Sequence, residues 1–193
     1  ELVFVGYGIV APEYGWNDYK NFDAKGKTLV MLINDPGFST EDPDLFNGRA
    51  MTYYGRWTYK YEEAARQGAE AVLIIHETAP AAYPWQVVET SWAGKQIDLK
   101  REDMVKSRVK VEGWITSDIA QDLFTEANLN LEALKQEALN SDFQSVKMPG
   151  LTLDTTLNNK VEFSTSHNVA AVKVGYKKPD EYILMMAHWD HLG

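Results

Sequence analysis

Apolar residues in this chain fall into short blocks whose spacing changes along the sequence, and the spacing names the elements. The first block, Leu2-Val3-Phe4-Val5, is strand-like. Leu29 to Ile33, partly β-branched and set between Gly26-Lys27 and the turn-forming Asn34-Asp35-Pro36-Gly37, predicts a buried strand. A polar stretch rich in Asp, Asn and Gly follows, from Phe38 to Gly55. Between Trp57 and Gln67, Trp57, Tyr61, Ala64 and Ala65 recur at helical spacing, and Gly68 stands where a helix end favours a left-handed residue. Ala71 to Ile75 then predicts a second buried strand that packs with this helix.

Residues Glu77 to Gly94 hold Pro80, Pro84, Trp85 and Trp92 without evident period and read as a long loop, of the kind that carries contacts. Val109 to Trp114 predicts a strand. Thr116 or Ser117 can cap a helix whose face is Ile119, Ala120, Leu123, Phe124 and Ala127. Asn130 caps a shorter one with Leu131, Leu134 and Ala138 inward, ending near Asn140-Ser141-Asp142. Pro149-Gly150 is the best linker, since beyond it the pattern turns to closely spaced strands at Val161 to Ser164, Val169 to Val174 and Tyr182 to Ala187, the last two joined by a turn over Gly175 to Asp180. A domain boundary is expected near residue 150, giving domains 1–150 and 151–193.

A chain of 193 residues that is 45% hydrophobic can build a proper core, as one domain or one domain and part of a second. Its 28 acidic and 19 basic residues leave a formal net charge of −9, which repels phosphate backbones and anionic surfaces and argues against nucleic acid as a partner. No apolar run approaches the roughly 20 residues that span a bilayer, so no membrane-spanning segment is expected. The absence of Cys removes thiolate metal sites, disulfides and cysteine nucleophiles. The sequence begins at Glu1 without a leader pattern and stops on a cluster of metal-ligand types, and it reads as a piece of a longer protein.

Three motifs resemble functional signatures on paper. Gly6-Tyr7-Gly8-Ile9-Val10-Ala11 matches a dinucleotide fingerprint, but that motif needs a helix to begin at the loop, and Pro12, Tyr14, Gly15 and Trp16 lack helical period, so a glycine-rich bend is expected. Gly26-Lys27-Thr28 lacks the earlier glycine of a phosphate loop, Asn21 standing there, and leads into a strand. His76-Glu77-Thr78-Ala79-Pro80 begins like a zinc-protease helix yet places Pro80 at the second ligand position, so His76 is expected as a polar tip at a strand end. His188 and Asp190 differ from these. Alternate residues of a strand share a side, so both project together after Tyr182 to Ala187, either as an imidazole with an orienting carboxylate at a metal or as a solvated strand end.

As a set, these residues resemble a known arrangement. Trp57 to Ile75, with Glu-Glu-Ala-Ala-Arg-Gln-Gly-Ala-Glu-Ala-Val-Leu-Ile-Ile, is similar to the helix and strand of the protease-associated (PA) domain, as is the strand after Gly26-Lys27. Ser166-His167-Asn168-Val169-Ala170-Ala171 and the run from Pro179 to Gly193 resemble the opening of the catalytic domain in co-catalytic zinc aminopeptidases, a family that includes leucyl-type aminopeptidases and glutamate carboxypeptidase relatives. The resemblance implies an α+β chain: a PA-type β-barrel-like domain with flanking helices, followed by the first strands of an α/β zinc-exopeptidase domain. It implies His188 as a zinc ligand and Asp190 as the carboxylate that orients it. The second zinc, the remaining ligands and the glutamate base are expected downstream of Gly193, so no catalytic residue is expected here and the piece alone should be inert. His191 receives no ligand role. Peptide or protein is the implied substrate, the rest of the catalytic domain the implied partner, and the periplasm or the outside of a bacterial cell the implied location. The competing reading is a non-catalytic module that binds peptide through residues 77–94, with Trp85 and Trp92 as its contacts; a third is a lid that affects only access or stability.

Overall fold

The computed structural model describes residues 1–103 and 107–188. Residues Glu1 to Leu157 form one compact unit, and Asn158 begins a second. In the first unit β1 (Leu2–Phe4) leads through a bend to the two-stranded hairpin β2 (Val10–Ala11) and β3 (Trp16–Asn17), then to β4 (Thr28–Leu32) and the short α1 (Pro36–Thr40). Next come α2 (Trp57–Arg66), β5 (Ala71–His76), α3 (Thr78–Ala81), α4 (Trp85–Trp92), β6 (Val111–Thr116), α5 (Ser117–Glu126), α6 (Leu131–Glu137) and β7 (Val146–Met148).

Five of these strands make one sheet in the order β6-β5-β4-β1-β7. β1, β4, β5 and β6 are parallel, with Phe4, Val30, Leu73 and Gly113 in one row, and β7 returns antiparallel to β1. A parallel sheet covered on both sides has continuous apolar strands, which is why Leu29 to Ile33 and Ala71 to Ile75 show no alternation. The pleat still divides them. Leu2, Phe4, Val30, Leu32 and Ile75 meet Ala120, Phe124, Leu131 and Leu134 of α5 and α6 on one face. Val3, Val5, Leu29, Met31, Val72 and Ile74 meet Tyr61 and Ala64 of α2 on the other. The chain is thus a mixed α/β fold around a mostly parallel sheet, and the sheet itself is open.

The helix ends follow local chemistry. Gly68 takes φ 81° just past α2. Of the two capping candidates it is Thr116 whose side chain accepts from Ile119 N at 3.3 Å, and Asn130 accepts from Ala133 N at 3.0 Å. Gly6-Tyr7-Gly8 is a bend, with Gly8 at φ 63°. A Cβ on Gly8 would lie 2.8 Å from the Met31 sulfur, and the chain continues into β2 without opening a helix.

Two expectations are corrected. Residues 77–94 are not a loop but carry α3 and α4. Pro84 is the N-cap of α4, and Pro80 sits in the first turn of α3, where a missing N–H costs nothing. The three strands expected between Val161 and Ala187 do not form: that stretch has no regular secondary structure, and Val169 and Ile183 are each 92% exposed. A strand needs a partner ladder to be stable, and the described residues of this unit form none among themselves. The turn alone is present, Glu181 N donating to Lys178 O at 3.2 Å.

Phe124 is fully buried and meets the Phe4 ring edge-on at 5.2 Å between centroids. Replacing it by Ala removes that contact and opens a cavity between α5 and the sheet. Urea unfolding of Phe124→Ala should show a loss of about 3–5 kcal/mol, with the slope against denaturant unchanged.

Candidate functional site

The parallel strands all end at the same edge, and the segments that leave them enclose a small cavity of about 160 Å³. Tyr7 comes from the bend after β1, Ile33, Asn34 and Asp35 from the end of β4, and Glu77 and Pro80 from the end of β5. Phe38 and Ser39 of α1 close one side; Glu132, Lys135 and Gln136 of α6, with Leu139 just beyond it, close another. The carboxyl ends of parallel strands are where open α/β sheets place ligand sites.

The floor is held by a buried cation. Lys60, on α2, is 0% exposed and its Nζ donates to Tyr7 O at 2.5 Å and Asn34 O at 2.7 Å. Burial pushes its ammonium down to about 7, while the charges of Asp18 and Asp35 pull it back up. Asp18 is equally enclosed. Its Oδ2 accepts from Ile9 N at 2.9 Å and its Oδ1 from Trp16 Nε1 at 2.8 Å, yet burial still raises it to about 6. Tyr7 is raised to about 12, again by burial.

Asp35 is the N-cap residue of α1 but makes no side-chain cap. Its Oδ2 accepts from Thr52 N at 3.1 Å and Thr52 Oγ1 at 2.7 Å, and its Oδ1 has no partner. Burial raises its pKa against the help of Thr52. Asn34, at φ 69°, donates through Nδ2 to Pro80 O at 2.8 Å and so ties the β4 exit to α3. Across the cavity Lys135 Nζ lies 2.5 Å from Glu77 Oε1 and 3.1 Å from Glu132 Oε1. Burial opposes the Lys135 charge, but the two carboxylates outweigh it and hold the pKa above its ordinary value.

Of the binding segment 77–94 only Glu77 and Pro80 line this cavity; Trp85, Trp92 and His188, the described residues with a site role in the sequence reading, do not. Trp85 and Trp92 lie two turns apart on α4. Trp85 Nε1 donates to Glu89 Oε1 at 2.8 Å and its ring meets His76 at 5.6 Å; Trp92 meets Trp57 at 5.7 Å and stays 37% exposed. His76 is a buried strand-end residue, its Nε2 3.1 Å from Tyr83 O. His188 is exposed in the second unit. Asp190 lies outside the described residues, as does His191. Among the described residues no group of three or more His, Asp or Glu is placed to hold a metal, and no helix is long and apolar enough to cross a membrane.

The cavity residues were missed because each had an ordinary local reading. Asn34-Asp35-Pro36-Gly37 reads as a turn, and Lys60 reads as one more polar residue on an amphipathic helix. A signal was present for both. Lys60 stands three after Trp57 and four before Ala64, on the inward face, and the Asn-Asp pair directly follows a buried parallel strand. Comparison with protein-family models, curated proteins and solved structures finds no match to the chain.

Lys60 gives the fold a signed pH dependence. Free lysine titrates near 10.4, whereas the folded value is about 7. Between those limits the unfolded chain binds more protons than the folded one, so stability rises with pH. Urea midpoints should therefore increase from pH 7 to pH 9, and Lys60→Met should flatten the increase while lowering stability at both values.

Proposed function

We propose that this chain is the accessory, PA-type region of a zinc-dependent exopeptidase, most simply an aminopeptidase, together with the first segment of its catalytic domain. The observation that carries the reading is the conjunction, in one chain and in this order, of the Trp57-to-Ile75 helix–strand sequence and the apolar run Tyr182 to Ala187 followed by His188 and Asp190. In this reading the sheet unit is the PA-type domain. Residues 77–94 and the cavity edge then belong to an accessory surface beside a peptide cleft, exported to the periplasm or secreted.

The donor chemistry of the terminal motif suits zinc: His188 is an exposed imidazole, and a carboxylate two residues on is placed by sequence to accept its other N–H. One histidine does not hold a catalytic metal, and the further ligands belong to sequence after Gly193. When bound, the two zinc ions supply Lewis-acid polarisation of the scissile carbonyl and a water acidic enough to deprotonate near neutral pH. The task of this chain's residues is narrower. His188 contributes one ring nitrogen, Asp190 fixes its tautomer, and neither moves a proton to substrate.

A second reading has its own support. Trp92 and Trp57 form an edge-on pair at the surface, with both rings 37% exposed, and such aromatic pairs anchor peptides. There the chain is a non-catalytic module that binds peptide through 77–94.

The readings separate in a polypeptide carrying this sequence with its downstream residues. Under the exopeptidase reading, hydrolysis of aminoacyl substrates is chelator-sensitive and restored by zinc, and His188→Ala lowers both zinc content and kcat/KM by at least about a hundredfold. Zinc-free, chelator-insensitive protein with His188→Ala unchanged would overturn it. Under the module reading, Trp92→Ala weakens peptide binding about tenfold or more without altering metal content.

A further inference from the structure

We propose that the free edge of the sheet at β6 is a pairing surface for a second copy of this chain, the two β6 strands running antiparallel about a twofold axis at Gly113. The proposal does not depend on either reading of function.

The two edges of the sheet are built differently. β7, at one end of the strand order, is three residues long and has Lys147 at its centre, with a side chain 70% exposed. A short strand bearing a lysine is protected against edge-to-edge pairing. β6, at the other end, is six residues long, contains no proline, and pairs with β5 in unbroken register from Val111 to Thr116. All six of its residues are half-buried, and Gly113 has no side chain, so the surface it exposes is backbone. Lys110 N donates to Glu70 O at 2.8 Å, and amides alternate along a strand, so Glu112, Trp114 and Thr116 aim theirs at β5 while Gly113 and Ile115 aim theirs outward. Tyr61 Oη donates to Gly113 O at 3.1 Å, which leaves that carbonyl a second lone pair. No further strand pairs with β6 among the described residues. Such an edge is a template for another extended backbone.

Register and charge then choose the backbone. With Gly113 opposite Gly113 of the second copy, Val111 stands opposite Ile115, and outward residues meet outward residues along the whole strand. A twofold axis at Val111 or Ile115 would run half the pairing off its end. In the Gly113 register no like charges are directly opposed: Glu112, which Arg108 already pairs with, faces Trp114. Lys110, just before the strand and 77% exposed, comes beside Asp118, exposed in the first turn of α5 at the far end of the other copy's β6. Its own partner Glu70 is 44% exposed and holds it weakly. Symmetry makes the Lys110 to Asp118 approach twice, and Ile119, 49% exposed beside Asp118, adds apolar surface. Pairing consumes the β6 edge of both copies, so association closes at the dimer.

The test is sedimentation velocity of the full 193-residue chain over a concentration series from about 10 μM to about 1 mM, in which a dimer with Kd on the order of 10–100 μM is expected, as befits a small interface. Across the same series, exchange of the Gly113 and Ile115 amides should slow about fivefold while Glu112 and Trp114 stay as they are. Ile115→Pro removes an outward donor and no bond to β5, and should raise Kd about tenfold or more. Asp118→Lys should raise it about threefold and the further change Lys110→Glu should restore it, a rescue that decides the matter if Ile115→Pro fails to fold. A chain that stays monomeric, one that grows beyond two copies, or a dimer that both Ile115→Pro and Asp118→Lys leave unchanged would overturn the proposal. The edge then serves a different sequence, or association comes from the exposed apolar residues of the second unit.

Discussion

The arrangement at the carboxyl edge of the sheet depends on one buried ammonium. Lys60 reaches from α2 through the apolar face that holds Met31 and Ile74 and takes the carbonyls of Tyr7 and Asn34, the two residues at which β1 and β4 hand over to their loops. Neither carbonyl has a place in the sheet ladder. Left alone in the interior, each would cost free energy comparable to a lost hydrogen bond. By meeting both with one side chain, the fold joins a helix to two strand ends and fixes the distance between them. Asp18 and Asp35 share the compensation of that charge, which is why three ionisable groups are tolerated together in so small a volume.

That constraint explains the contrast between the two edges of the sheet. At the amino ends of the strands the chain closes with ordinary surface pairs such as Lys27 with Glu1, at 2.9 Å and partly exposed, worth little to stability. At the carboxyl ends the turns are buried, left-handed at Gly6, Gly8 and Asn34, and tied by the Lys60 side chain of α2 and by the Asn34 side chain donating to the Pro80 carbonyl of α3. Buried turns tied to two helices are a different kind of edge from a salt-laced rim.

Much of this architecture could be read from the residues. The Leu29 and Ala71 blocks, the Trp57 helix with its Gly68 stop, and the Asn130 cap all emerged because burial on both faces and helix termination leave local marks. Residues 77–94 were less transparent, since prolines that break a helix interior are the same residues that begin one, and only the register of Trp85, Val88 and Trp92 separates the cases. The strand patterns after residue 158 are present as patterns, but pairing is a property of two segments and cannot be written in one. The cavity lay hidden for a similar reason. Tyr7, Asp35 and Glu77 are far apart in sequence, and what brings them together is the parallel strand order that sets three loop starts at one edge.

The antiparallel return of β7 beside β1 has a topological consequence. Leu2 N donates to Leu151 O at 3.2 Å, so the chain enters and leaves the sheet unit at neighbouring points on one edge. A body with adjoining entry and exit behaves as a self-contained loop: it can be spliced into a host polypeptide, or joined end to end and reopened elsewhere, with little disturbance to its own packing.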